Sequence, residues 1–107
     1  MFLVLPMLLY NITINIEDDC REEWLQWVKE IYIPAIKSTR LLLDCGLMEL
    51  LTGEKSSGTT YTIQLFFQKE SDISLYEEQF LDLHQDLHYS KFGGKFVEFR
   101  SLLKTVE

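Results

Sequence analysis

From Leu8 to Glu17 the chain alternates without a break, with Tyr10, Ile12, Ile14 and Ile16 on one side and Asn11, Thr13 and Asn15 on the other. Successive side chains of a strand point to opposite faces, so this stretch reads as a half-buried β-strand with an aliphatic face and an amide-and-hydroxyl face. A helix follows. Asp19 and Glu22 have the spacing of an N-terminal cap, and the apolar stripe runs through Trp24, Trp27, Val28, Ile31 and Ala35, flanked by Leu25, Tyr32 and Ile36. Pro34 removes a hydrogen bond and clashes with the preceding turn, which predicts a bend or a looser turn between Ile33 and Lys37. Leu41 to Thr52 is apolar and mixed in period. The turn chemistry of G-E-K-S-S-G and a second clean alternation over 59–69 make it the first arm of a hairpin.

A second helix is predicted from the spacing of Ile73, Tyr76, Phe80, Leu83 and Leu87, with Ser71 or Ser74 as its cap and Glu77 completing a capping box on Ser74. Gly93 and Gly94 then reverse the chain into a last strand over 95–106. There, Val97, Phe99, Ser101 and Leu103 alternate with Phe96, Glu98, Arg100, Leu102 and Lys104. Strand, helix, strand, strand, helix, strand is the order of the ferredoxin-like α+β sandwich: four antiparallel strands with two helices on one face. The aliphatic strand faces pack on the helices. The other sheet face is expected to display Asn11, Thr13, Asn15, Thr62, Gln64 and Phe66, together with Glu98 and Arg100 on the last strand. Such a neutral, amide-rich surface fits a second copy's sheet better than open water, so a homodimer through this face is expected.

Composition narrows the classes. At 107 residues there is one domain, and 13% aromatic content argues against disorder. A formal net charge of -7 opposes phosphate backbones and anionic membranes, so neither nucleic acid nor membrane is an expected partner. Cys20 and Cys45 read as reduced thiols of a cytoplasmic protein. The uncharged start F-L-V-L-P-M-L-L lacks a basic flank and a cleavage site, and it is too short to span a bilayer. Residues 1–7 are therefore expected to be a non-native or disordered extension, with Met7 itself the natural start, and residues 8–107 a single domain.

Several motifs in register resemble an uncharacterised bacterial family built on a domain of unknown function. They are Y-N-I-T-I-N, the W-x-x-W helix ending in I-P, T-x-Y-x-I-Q, and K-F-G-G-K-F-V-E-F-R-S-L-L. The resemblance implies a fold similar to the dimeric α+β barrels. That group includes cofactor-free antibiotic-biosynthesis monooxygenases, haem-degrading enzymes and ligand-sensing domains, so fold alone decides no function. The chain departs from the family pattern at Tyr32, where relatives often carry His before the Ile-Pro pair.

Candidate chemistry is sparse. His84 and His88 have the spacing of a helical metal pair, but the local pattern supplies no third ligand, so they read as rim histidines bonded to carboxylates or backbone. No cofactor is implied. Arg100 beside Glu98 and Asn11 is expected to form an internal ion pair, with recognition of a ligand carboxylate as the sharper alternative. No nucleophilic triad or dyad is visible, and the reading leans away from an enzyme. The leading expectation is a small homodimeric binding or interaction module. A monooxygenase-like enzyme would instead need an apolar pocket at Trp27, Tyr32 or His88. A ligand-sensing subunit would need a cavity at Asn11, Gln64 and Arg100.

Overall fold

The computed structural model describes residues 6–53 and 57–106. The strand β1 (Leu8–Ile16) sits inside the sheet because both of its edges are paired. It lies antiparallel to β3 (Thr59–Phe67) on one side and to β4 (Phe96–Lys104) on the other, while β2 (Asp44–Glu49) adds to the outer edge of β3. The order β2-β3-β1-β4 means that each strand-helix-strand unit skips one place, which is the split arrangement of the ferredoxin-like fold. Tyr10, Ile12, Ile14 and Ile16 face the helices with Tyr61, Ile63, Leu65 and Phe67, and together they form the floor of the core. Met7 continues the ladder, its amide and carbonyl both bonded to Thr105. The remainder of the expected N-terminal extension, residues 1–5, and residues 54–56 of the hairpin loop lie outside the described residues.

The first helical region begins with a 3₁₀ turn at Asp18–Cys20 and continues as α1 (Arg21–Trp27), a π turn (Val28–Tyr32) and α2 (Ile33–Lys37). The wide turn expected after Pro34 lies before it, and the Ile33 amide reaches back five residues to the Val28 carbonyl. This changes which residues point inward. In a regular α-helix, side chains four apart drift by about 40° per step. The wider turn takes back part of that drift, so Trp24, Val28, Tyr32 and Ile36 are all fully buried. Ile31, assigned to the stripe from sequence, is 48% exposed.

The second helical region is also interrupted. Instead of one helix there are α3 (Glu70–Gln79) and α4 (Leu81–Phe92), separated at Phe80, whose φ of −124° is not helical. The inward face shifts by one residue after the break. His84, His88 and Phe92 are buried, while Leu83 is 61% exposed. The two histidines are therefore core residues and not rim residues. The expected caps do not form either: neither helical region has a side-chain cap, and Ser74 lies inside α3.

The largest correction concerns β4. Paired residues of antiparallel strands share a face. Arg100 stands opposite Ile12 and Glu98 opposite Ile14, so both lie on the helix side, away from Asn11. Val97, Phe99, Ser101 and Leu103 take the open face. Assigning the face by polarity failed because the polar side of this strand is the inward one.

The shift in α4 can be read in stability. Ile73→Ala should cost about 2–5 kcal/mol in urea unfolding, whereas Leu83→Ala should stay within about 0.5 kcal/mol. Equal losses would place Leu83 back in the core.

Candidate functional site

With Glu98 and Arg100 turned inward, the space between sheet and helices holds a connected polar network. The Trp24 indole on α1 donates to His88 Nε2 on α4 at 2.9 Å. An indole N–H can only donate, so Nε2 is bare and the proton of the neutral ring sits on Nδ1. That nitrogen faces Glu98 Oε1 at 3.3 Å, and Glu98 Oε2 accepts from Arg100 Nε at 3.0 Å. Four residues from three elements thus form one chain. His88 also stacks on Phe96, with ring centroids 3.7 Å apart, and on Trp27. The shift at Phe80 aims His88 at this chain, and the π turn brings Tyr32 against the Trp27 ring at 5.0 Å.

The far end of the chain is unfinished. Both terminal amines of Arg100, Nη1 and Nη2, are buried without a hydrogen-bond partner, and so is the Tyr32 hydroxyl. Unpaired buried groups of this kind cost about 1–3 kcal/mol each, more when charged. The guanidinium lies 5.6 Å from the centre of the Tyr10 ring, which supports its charge from one side. A pocket of about 200 Å³ between α3 and β4 is lined by Arg100 together with Tyr10, Ile73, Glu77, Ser101 and Leu102. Beside this corner, Tyr76 and His84 Nδ1 share a hydrogen bond of 2.8 Å.

The titrating groups reflect this setting. Burial pushes the Glu98 carboxyl up, but the His88 hydrogen bond and the Arg100 charge together outweigh it and hold it below the ordinary value. Burial pushes the Tyr32 phenol up to about 12, against the pull of Arg100. His84 is lowered, first by burial and then by Arg100, and burial raises Tyr76. Among the described residues no three His, Cys, Asp or Glu side chains gather closely enough to hold a metal ion.

Of the residues singled out from sequence, Trp27, Tyr32, His88 and Arg100 come together here. Asn11 and Gln64 do not. They pair with each other across β1 and β3 on the opposite sheet face, so the cavity expected at Arg100, Asn11 and Gln64 does not form. The expected ion pair of Arg100 with Glu98 does form, on the helix side of β4, whereas sequence reasoning missed Trp24, Tyr76 and His84 as members of this network. The run Tyr76, Phe80, His84, His88, Phe92, spaced by fours, was the available signal.

The fold and this interior define an α+β protein of the ferredoxin-like class. The chain belongs to the family described as Domain of unknown function (DUF4286), whose profile matches residues 7–106. No curated protein matches it. Among solved structures it is similar to a conserved protein of unknown function from Bacteroides thetaiotaomicron, at 13% identity and a TM-score of 0.65 over 95% of this chain and all of that one. It is also similar to a dimeric ferredoxin-like protein from an uncultured marine organism, at 15% identity and a TM-score of 0.62, covering 96% and 98% of the two chains. A protein from Nitrosomonas europaea assigned to the antibiotic biosynthesis monooxygenases gives 10% identity and 0.62, covering 100% and 95%. At such identities the likeness is one of fold.

A carboxyl with a depressed native pKa stabilises the fold above its unfolded pKa and loses that contribution as pH falls through the native value. Glu98→Gln should therefore cost about 1.5–3 kcal/mol at neutral pH. In urea titrations the deficit should close as pH drops below the ordinary value of 4.5. A deficit unchanged down to pH 3 would contradict an ionised, paired Glu98.

Proposed function

We propose that this protein is a small homodimeric binding module of the bacterial cytoplasm, with the open sheet faces of two copies stacked on each other. The observation that carries the reading is the character of that face. On β1, β3 and β4 it bears no charged residue, and with β4 turned as described it displays Val97 at 70% and Phe99 at 64% exposure. Met48 and Leu103 are also exposed there, and Leu9 and Phe66 are half-buried. Among the described strand residues, Asp44, at the end of the edge strand, is the one acidic group on this side. An uncovered antiparallel sheet ordinarily presents charged and polar side chains to water, and a contiguous apolar patch marks an interaction site. Between the apolar positions, Asn11, Thr13, Asn15, Thr62 and Gln64 offer hydrogen bonds to a symmetric partner. A similar solved structure is described as a dimeric ferredoxin-like protein, which agrees with this reading. Free thiols at Cys20 and Cys45 fit a reducing compartment.

A second reading, a ligand-sensing subunit or a monooxygenase-like enzyme, draws on the unfinished end of the polar network at Arg100 and Tyr32. As an acid–base catalyst His88 is poorly placed, because both of its ring nitrogens are already engaged. Binding without chemistry is the better supported of these.

Light scattering on the purified protein should return twice the chain mass, and Phe99→Asp should return the monomer mass with an unchanged far-UV spectrum. A monomeric wild type, or a Phe99→Asp variant that stays dimeric, would defeat the face-to-face arrangement.

A further inference from the structure

We propose that the free edge of the Arg100 guanidinium, together with the Tyr32 hydroxyl, is a seat for the carboxylate of a small organic acid that enters between α3 and β4. The site lies within one subunit, so it goes beyond the homodimer and stands or falls separately from it.

Three buried polar atoms lack hydrogen-bond partners, Arg100 Nη1 and Nη2 and the Tyr32 Oη, all three can donate, and Tyr32 lies close enough to Arg100 to feel its charge. A guanidinium presents its two terminal amines as parallel donors, the geometry that matches the two oxygens of a carboxylate. Glu98 does not satisfy that edge. It binds the Nε side through Oε2, and its other oxygen is held by His88. Arg100 thus lies between a fixed carboxylate on one edge and an open edge on the other. The Tyr10 ring centre lies 5.6 Å from the guanidinium carbon and supports its charge.

Charge and volume define the ligand class. With Glu98, a ligand monoanion sets two negative charges against the one positive, whereas a phosphate dianion would set three against it. The adjoining pocket of about 200 Å³ is smaller than the ~300–1,000 Å³ of drug-sized sites. Its walls are aromatic and aliphatic, from Tyr10, Ile73 and Leu102, with exposed Glu77 at the mouth. A short acid with a compact apolar body fits these limits.

Entry requires α3 to give way, because the terminal amines of Arg100 are closed off from solvent. That helix is suited to move. It starts without a side-chain cap, ends at the break at Phe80, and contributes only Ile73 and Tyr76 to the buried core. Elements that contribute few side chains to the core open at lower free-energy cost than those at its centre.

Benzoate and its neutral isostere benzamide test the seat. Each is titrated into the full-length protein while the Arg100 side-chain ¹⁵N resonances and tryptophan fluorescence are followed. Benzoate should shift Arg100 saturably, and benzamide should bind at least about tenfold more weakly. Tyr32→Phe should weaken benzoate several-fold, and Arg100→Lys should erase the preference for the acid. Tyr32→Phe removes a single unpaired hydroxyl, so it remains informative if Arg100→Lys fails to fold. Equal affinity for benzoate and benzamide, benzoate binding unchanged in Tyr32→Phe, or Arg100 resonances that do not move up to tens of millimolar benzoate would each overturn the proposal. The readout is independent of oligomeric state, so its failure would leave the dimer standing, and a monomeric protein could still bind benzoate.

Discussion

Everything inside this domain is arranged around one ion pair, Glu98 with Arg100, held on the buried side of an edge strand. Removing two charges from water is costly unless each is matched by further hydrogen bonds. Glu98 is matched by His88, and His88 by Trp24, so satisfying the pair on β4 draws in one residue from each of the two helical regions. The same demand gives a reason for helical irregularities that would otherwise be only a cost. The π turn places Tyr32, and the break at Phe80 places His84 and His88, where unbroken helices would have presented Ile31 and Leu83.

Turning β4 this way gives the sheet its second character. The helix-side face carries the charges, and the face away from the helices carries Val97, Phe99 and Leu103. Burying the ion pair and exposing the apolar patch are thus two consequences of one register. Because side chains alternate with a period of two, inverting the strand would exchange both at once. The interior network and the proposed interface are therefore linked through the orientation of a single strand.

Much of the architecture was legible in the sequence. The alternations of β1 and β3 set the inward faces of the central strands, and the order of elements led to the ferredoxin-like sandwich. What was not legible follows from two assumptions. The first is that helices keep a constant 100° per residue, which fails at Pro34's widened turn and at Phe80. The second is that the apolar side of a strand faces the core, which fails on β4, where Glu98 and Arg100 are inside. The candidate site divides accordingly. Trp27, Tyr32, His88 and Arg100 do gather, but Arg100 was grouped with Asn11 and Gln64 on the wrong side of the sheet. Trp24 read only as core, because nothing in the spacing of an indole reveals the acceptor its N–H will meet 64 residues away.

The tautomer of His88 tests this account most directly, because it reports on both neighbours at once. Long-range ¹H–¹⁵N correlation of the histidine side chains should show the neutral His88 ring protonated on Nδ1 toward Glu98, with a bare Nε2 accepting the Trp24 indole proton. A ring protonated on Nε2, with the Trp24 indole proton exchanging as in free water, would contradict it and break the chain from Trp24 through His88 to Glu98.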